Sequence, residues 1–167
     1  MGHTIYLVGA RAAGKTTFGG ALARQLGCNY VDTDIHLRET TGETVADIVA
    51  REGWDGFRKR ESAVLRAVTA PGTVIATGGG IVLRQENMEA LSATGTVIFL
   101  DRSVEEICGS DLSGRPLIGK DLNRVQALYD QRIGLYRRYA RITVGSHDAP
   151  EQVAREILSL LKGERHE

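Results

Sequence analysis

The chain has 167 residues, 42% hydrophobic and 25% charged, with 21 basic and 21 acidic side chains that cancel. That size and composition suit one soluble domain with a full core, and the neutral balance argues against nucleic acid or an anionic membrane as partner. Cys28 and Cys108 lack metal-site or redox spacing, no apolar run spans a bilayer, and the N-terminus enters a strand without a leader; the expectation is a cytoplasmic protein.

In chain order, strands are predicted at Thr4–Val8, Asn29–Asp32, Thr73–Thr77, Thr96–Leu100 and Arg141–Val144. Helices are predicted at Lys15–Leu26, Val45–Glu52, Phe57–Val68, Glu86–Ala93, Val104–Ile107, Leu122–Tyr139 and Glu151–Leu161. Alternation of this kind predicts an α/β fold with a parallel sheet covered on both faces. Two segments exceed a minimal alternation: Asp34 to Val68, a place for an acceptor, and the glycine-rich Gly109 to Lys120, a candidate lid.

The first strand runs into Gly9-Ala10-Arg11-Ala12-Ala13-Gly14-Lys15-Thr16-Thr17, and a helical pattern follows. This is a Gly-x-x-x-x-Gly-Lys-Thr phosphate loop in its strand–loop–helix setting. The glycines let successive N–H groups turn toward phosphate oxygens, and the helix N-terminus adds partial positive charge there. Lys15 is placed to reach the outer phosphates, and the Thr16 hydroxyl to ligate Mg²⁺. A nucleotide ligand follows; the phosphate acceptor does not.

Other residues bear on the acceptor. Asp32 and Asp34 end the second strand two residues apart, and on an extended chain they face one site beside the loop. One is suited to Mg²⁺ through water and the other to an acceptor hydroxyl, although a plain helix cap would use the same carboxylates. Gly78-Gly79-Gly80 at a strand end predicts close approach of a ligand to backbone N–H groups. Arg58 and Glu61, three apart, share a helix face, and a guanidinium held by Glu61 suits bidentate capture of a carboxylate or phosphate. Arg115-Pro116-Leu117 lies in the candidate lid, where an arginine can neutralise charge on a transferring phosphoryl group. Arg132 and Tyr136 share a face of a long helix. Trp54, the only tryptophan, is expected in the core.

Together these motifs resemble the shikimate kinase family over nearly the whole chain and in the family's order. Glu52-Gly53-Trp54 with Gly56-Phe57-Arg58 is similar to its enterobacterial-type members. The resemblance implies a nucleoside-monophosphate-kinase-like, three-layer α/β/α fold with a five-stranded parallel sheet of order 2-3-1-4-5. It implies one domain over 1–167, with an acceptor segment at about 33–61 and a lid at about 109–120. It implies phosphorylation of the 3-hydroxyl of shikimate by ATP in chorismate and aromatic amino acid biosynthesis, with Mg²⁺, by a monomer.

By the same resemblance, Gly9, Ala12, Ala13, Gly14, Lys15, Thr16, Thr17 and Arg115 bind the nucleotide. Thr16 and Asp32 hold the metal, Thr16 directly and Asp32 through water. Asp34, Arg58, Gly78, Gly79, Gly80 and Arg132 bind shikimate, Gly79 being the foremost direct donor, and Glu61 orients Arg58. The catalytic set is Lys15, Asp34 and Arg115. One departure stands out: where the family often stacks an arginine on adenine, this chain has Cys108 followed by Gly109. Adenine then falls to another side chain such as Arg102, and the loop Gly145–Pro150 matches the family's second adenine-side element only loosely. Two other readings stay open on the residues alone. One is a related small-molecule kinase, such as a gluconate kinase. The other is a nucleotide-binding module without catalysis.

Overall fold

A computed structural model describes residues 3–10, 15–104, 120–145 and 149–163, without the side chains of 120–122. Five strands, β1 (Thr4–Val8), β2 (Asn29–Asp32), β3 (Thr73–Ala76), β4 (Gly95–Asp101) and β5 (Ile142–Gly145), form one sheet of order β2-β3-β1-β4-β5. Every pairing is parallel, with Tyr6 opposite Ile75 on one side and Val97 on the other. The helices are α1 (Lys15–Leu26), α2 (Thr33–Thr41), α3 (Val45–Val68), α4 (Gln85–Thr94), α5 (Lys120–Tyr139) and α6 (Pro150–Gly163), with a short 3-10 turn at Ile81–Leu83. The expected α/β fold and strand order are those found.

Alternation along β1 splits the core. Ile5 and Leu7 pack with Phe18 and Leu22 of α1 and Val153 and Ile157 of α6. Tyr6 and Val8 face the other way, onto Leu65, Met88, Leu91 and Tyr136. A central strand buried on both faces reads as a continuous apolar run, as here. Each large side chain so buried contributes about 1.5–3 kcal/mol. The Tyr6 hydroxyl is satisfied by Thr69 Oγ1 at 3.0 Å and Thr94 Oγ1 at 2.6 Å.

The stretch expected to carry two helices, Val45–Glu52 and Phe57–Val68, is one element broken by a kink. Gly53 has φ 74° and ψ 177°, a conformation essentially confined to glycine. Thr44 and Asp47 form a reciprocal capping box at its start, with bonds of 3.0 and 3.1 Å. Helix α2 was not among the individually predicted helices. It contributes only Thr33 and Leu37 to the interior, so its apolar periodicity is thin. Of the predicted helix Val104–Ile107 only Val104 lies among the described residues, and the candidate lid before Lys120 lies outside them. Among the described residues no helix is long and apolar enough to cross a membrane.

Candidate active site

The site forms at the C-terminal ends of β1, β2 and β3, where open parallel sheets bind ligands. Lys15 opens α1 and is buried; its Nζ donates to the carbonyls of Gly9 at 2.5 Å and Ala10 at 2.8 Å. Burial pulls its pKa from 10.5 down to about 8, against the opposing pull of Asp34 and Asp32. Arg132 also acts on it, so groups expected on the nucleotide and acceptor sides lie within electrostatic reach of one another. Thr16 and Thr17 are exposed on the first turn of α1, and Gly9 is buried at the end of β1. Ala12, Ala13, Gly14, Arg115, Cys108 and Gly109 lie outside the described residues, as do residues 146–148 of the loop Gly145–Pro150.

The expectation that Asp32 and Asp34 share a face of one extended strand is corrected. The strand ends at Asp32 and helix α2 begins at Thr33. Asp32 Oδ1 caps that helix, accepting from the N–H groups of Asp34 and Ile35 at 3.0 Å. Its other oxygen, Oδ2, accepts from Thr16 Oγ1 at 2.8 Å. A cap and a link to the phosphate loop are thus served by the two oxygens of one carboxylate. Asp34, on the first turn of α2, turns instead toward the glycine triplet.

The triplet makes room, although what fills the room includes protein. A Cβ on Gly78 would lie 2.7 Å from Glu61 Oε2 and 3.1 Å from Asp34 Oδ1. A Cβ on Gly80 would collide with the Arg58 guanidinium. Gly79, between them, is partly exposed, and its carbonyl accepts from the Tyr136 hydroxyl at 2.5 Å.

Arg58 is held on several sides. Glu61 Oε1 accepts from it at 3.0 Å, the two side chains being 16% and 2% exposed. Its guanidinium lies 5.3 Å from the centre of the Trp54 ring. Burial raises the Glu61 pKa, and Arg58 opposes that shift. Among the described residues, Glu61 Oε2 and Arg132 Nε are buried without a hydrogen-bond partner.

Arg58 and Arg132 both line a cavity of about 630 Å³, with Trp54, Lys59, Leu83 and Gln131 also on its wall. Asp34 and the glycines are not part of that lining. Arg58 joins the two regions, because it lines the cavity and packs against Gly80. Trp54, which directly follows the kink at Gly53 and lines the cavity, is 58% exposed, so its expected core position is corrected. Tyr136 was noted only as a neighbour of Arg132 on one helix face. Its partner is 57 residues away in sequence, and no local pattern signals such a contact. Arg102 follows β4 and is partly buried.

Residues 11–162 match the shikimate kinase family model. The chain is 46% identical over 173 residues to shikimate kinase 2 of Syntrophotalea carbinolica, covering 97% of this chain and 98% of that one. It superposes with a TM-score of 0.91 on the shikimate kinase from Acinetobacter baumannii in complex with shikimate, at 35% identity over 99% of this chain and 96% of that one. A gluconokinase from Sinorhizobium meliloti has a TM-score of 0.63 at 15% identity, covering 94% of this chain and 90% of that one, which is a likeness of fold alone. With its phosphate loop, sheet order and family match over most of its length, this chain belongs to the shikimate kinase family.

Proposed function

We propose that the chain transfers the γ-phosphoryl group of ATP to the 3-hydroxyl of shikimate, giving ADP and shikimate 3-phosphate, a step toward chorismate and the aromatic amino acids. The observation that carries this reading is the immobilised Arg58. It is paired with buried Glu61, stacked near Trp54, and lines one cavity with Arg132. Two guanidinium groups in one pocket suit the carboxylate of a small ring acid. The family match and the related structure solved in complex with shikimate support the same acceptor.

In this reading Lys15 leaves its own loop carbonyls for the β- and γ-phosphates, assisted by the loop amides, and Arg115 joins it. Arg58 and Arg132 fix the acceptor's carboxylate, Gly78, Gly79 and Gly80 border its ring, and Asp34 orients the reacting hydroxyl. The transition state is loose, so most of the acceleration comes from placement and charge neutralisation, and Asp34 need not be a strong base. The Thr16 hydroxyl and Asp32 carboxylate are oxygen donors 2.8 Å apart at the exit of the loop, a donor type that fits a hard divalent cation. Mg²⁺ held by these two would neutralise phosphate charge. We place the enzyme in the cytoplasm, where ATP is supplied, acting as a monomer.

The test is an acceptor screen with ATP and Mg²⁺, reading ADP release with shikimate, with gluconate and with no acceptor. Turnover with shikimate alone is the expected result. Turnover with gluconate alone would overturn the choice of acceptor. Nucleotide binding without acceptor-dependent ADP release would instead indicate a non-catalytic module.

A further inference from the structure

We propose that Tyr136 is a positioning residue for the acceptor: its hydroxyl ties the Arg132-bearing helix to the Gly79 carbonyl and so fixes the direction of the Gly80 N–H in the same peptide.

The tie is short and sheltered. Tyr136 is 2% exposed, its ring stacks on Phe99 with centroids 5.0 Å apart and planes 17° from parallel, and its hydroxyl donates to Gly79 O at 2.5 Å. The ring therefore has little freedom to move the hydroxyl. In a trans peptide the carbonyl of one residue and the N–H of the next point in opposite directions. Among the described residues no peptide is cis, so anchoring Gly79 O toward α5 turns the Gly80 N–H away from α5.

The turn's other internal bonds, Ile81 N–H to Gly78 O and Leu83 N–H to Gly80 O, both at 3.1 Å, do not involve the Gly79 carbonyl. Glycine lacks the side chain that would restrict rotation of that peptide within the turn. The Tyr136 hydroxyl supplies the missing restraint.

The same residue also contacts the clamp. Arg132 lies one helical turn before Tyr136 and interacts with its hydroxyl, opposing the effect of burial on that group. One hydroxyl thus borders both a cavity-lining guanidinium and the glycine turn. If the turn and Arg132 meet the same acceptor, their relative placement is set at this point. The inference rests on the acceptor site proposed above.

The test is steady-state kinetics of the full chain carrying Tyr136→Phe, which keeps the stacked ring and removes the tie. Shikimate KM should rise about tenfold, the scale of one buried hydrogen bond, while ATP KM stays within about twofold. Ile157→Val is the control. It trims the core on the opposite face of the sheet and lowers the melting temperature, yet should leave shikimate KM within about twofold. An unchanged shikimate KM in Tyr136→Phe overturns the inference. So does an equal rise in both KM values, or an Ile157→Val variant that raises shikimate KM as much. Arg58→Ala measured in parallel separates the two ideas. If it leaves shikimate binding unchanged, the acceptor site itself is misassigned; if only Tyr136→Phe is silent, the positioning role alone fails.

Discussion

The nucleotide and acceptor sides of the site are prepared in different ways. On the acceptor side the charges are bound to one another before any ligand arrives: Arg58 to Glu61, and both against the glycine turn. On the nucleotide side Lys15 is occupied by its own backbone, and Thr16 by an exposed hydrogen bond to Asp32. On the assignment proposed above, the acceptor pocket is preorganised, whereas the phosphate loop would exchange internal partners for ligand. Preorganisation lowers the ordering cost of binding. An exchange of partners makes the nucleotide side more dependent on which ion is present and in what protonation state.

The largest test of this contrast is Lys15→Ala. Turnover should fall by about 10²–10³-fold, the scale for losing one donor to transition-state charge, while shikimate binding changes little. A large loss of shikimate affinity would show that the two sides are not separable. Next is Arg58→Ala, which should weaken shikimate by about 30-fold or more through loss of a charged partner, with a much smaller effect on ATP KM. Titration followed by Trp54 fluorescence reads this directly, since the Trp54 ring lies 5.3 Å from the guanidinium; a flat titration of the unaltered chain at saturating shikimate would count against the contact.

The pH response sharpens the difference further. The folded-state value of Lys15 lies near 8, below its ordinary 10.5. Between these limits the unfolded chain holds more protons, so this residue adds stability to the ligand-free fold as pH rises. Phosphate binding needs the ammonium, so kcat/KM for ATP should fall about tenfold per unit above pH 8, while direct shikimate binding holds steady. A flat ATP profile between pH 7 and 10 would sink the assignment. Smaller is Gly80→Ala, whose methyl displaces the Arg58 guanidinium and should raise shikimate KM about fivefold to tenfold. Gly134→Ala, on the same helix as Arg132 but opening into empty space, should instead stabilise the fold by about 0.5–1 kcal/mol, read by denaturant unfolding.

Much of this was legible in the residues. Strand–helix alternation and the Gly-Lys-Thr loop carry the fold class and the nucleotide site, and the i, i+3 spacing of Arg58 and Glu61 carries their pairing. Contacts between distant segments were not legible. The glycine triplet signalled close approach, but nothing local said that Arg58 and two carboxylates were among the approaching groups. Asp32 and Asp34 do not share a strand face because the last residue of the strand, Asp32, is itself the cap of the next helix. The Tyr136 hydroxyl reaches a carbonyl 57 residues away, and such a bond leaves no periodic trace.

The break at Gly53 has an electrostatic consequence. An unbroken helix over Val45–Val68 would present its positive end only at Val45. Resetting the backbone at Gly53 starts a second helical segment at Trp54, on the wall of the cavity that Arg58 and Arg132 line. The positive end of that segment's peptide dipoles therefore lies beside the pocket and not only at Val45. One glycine thus moves a favourable place for negative charge into the middle of the element, without adding a charged side chain.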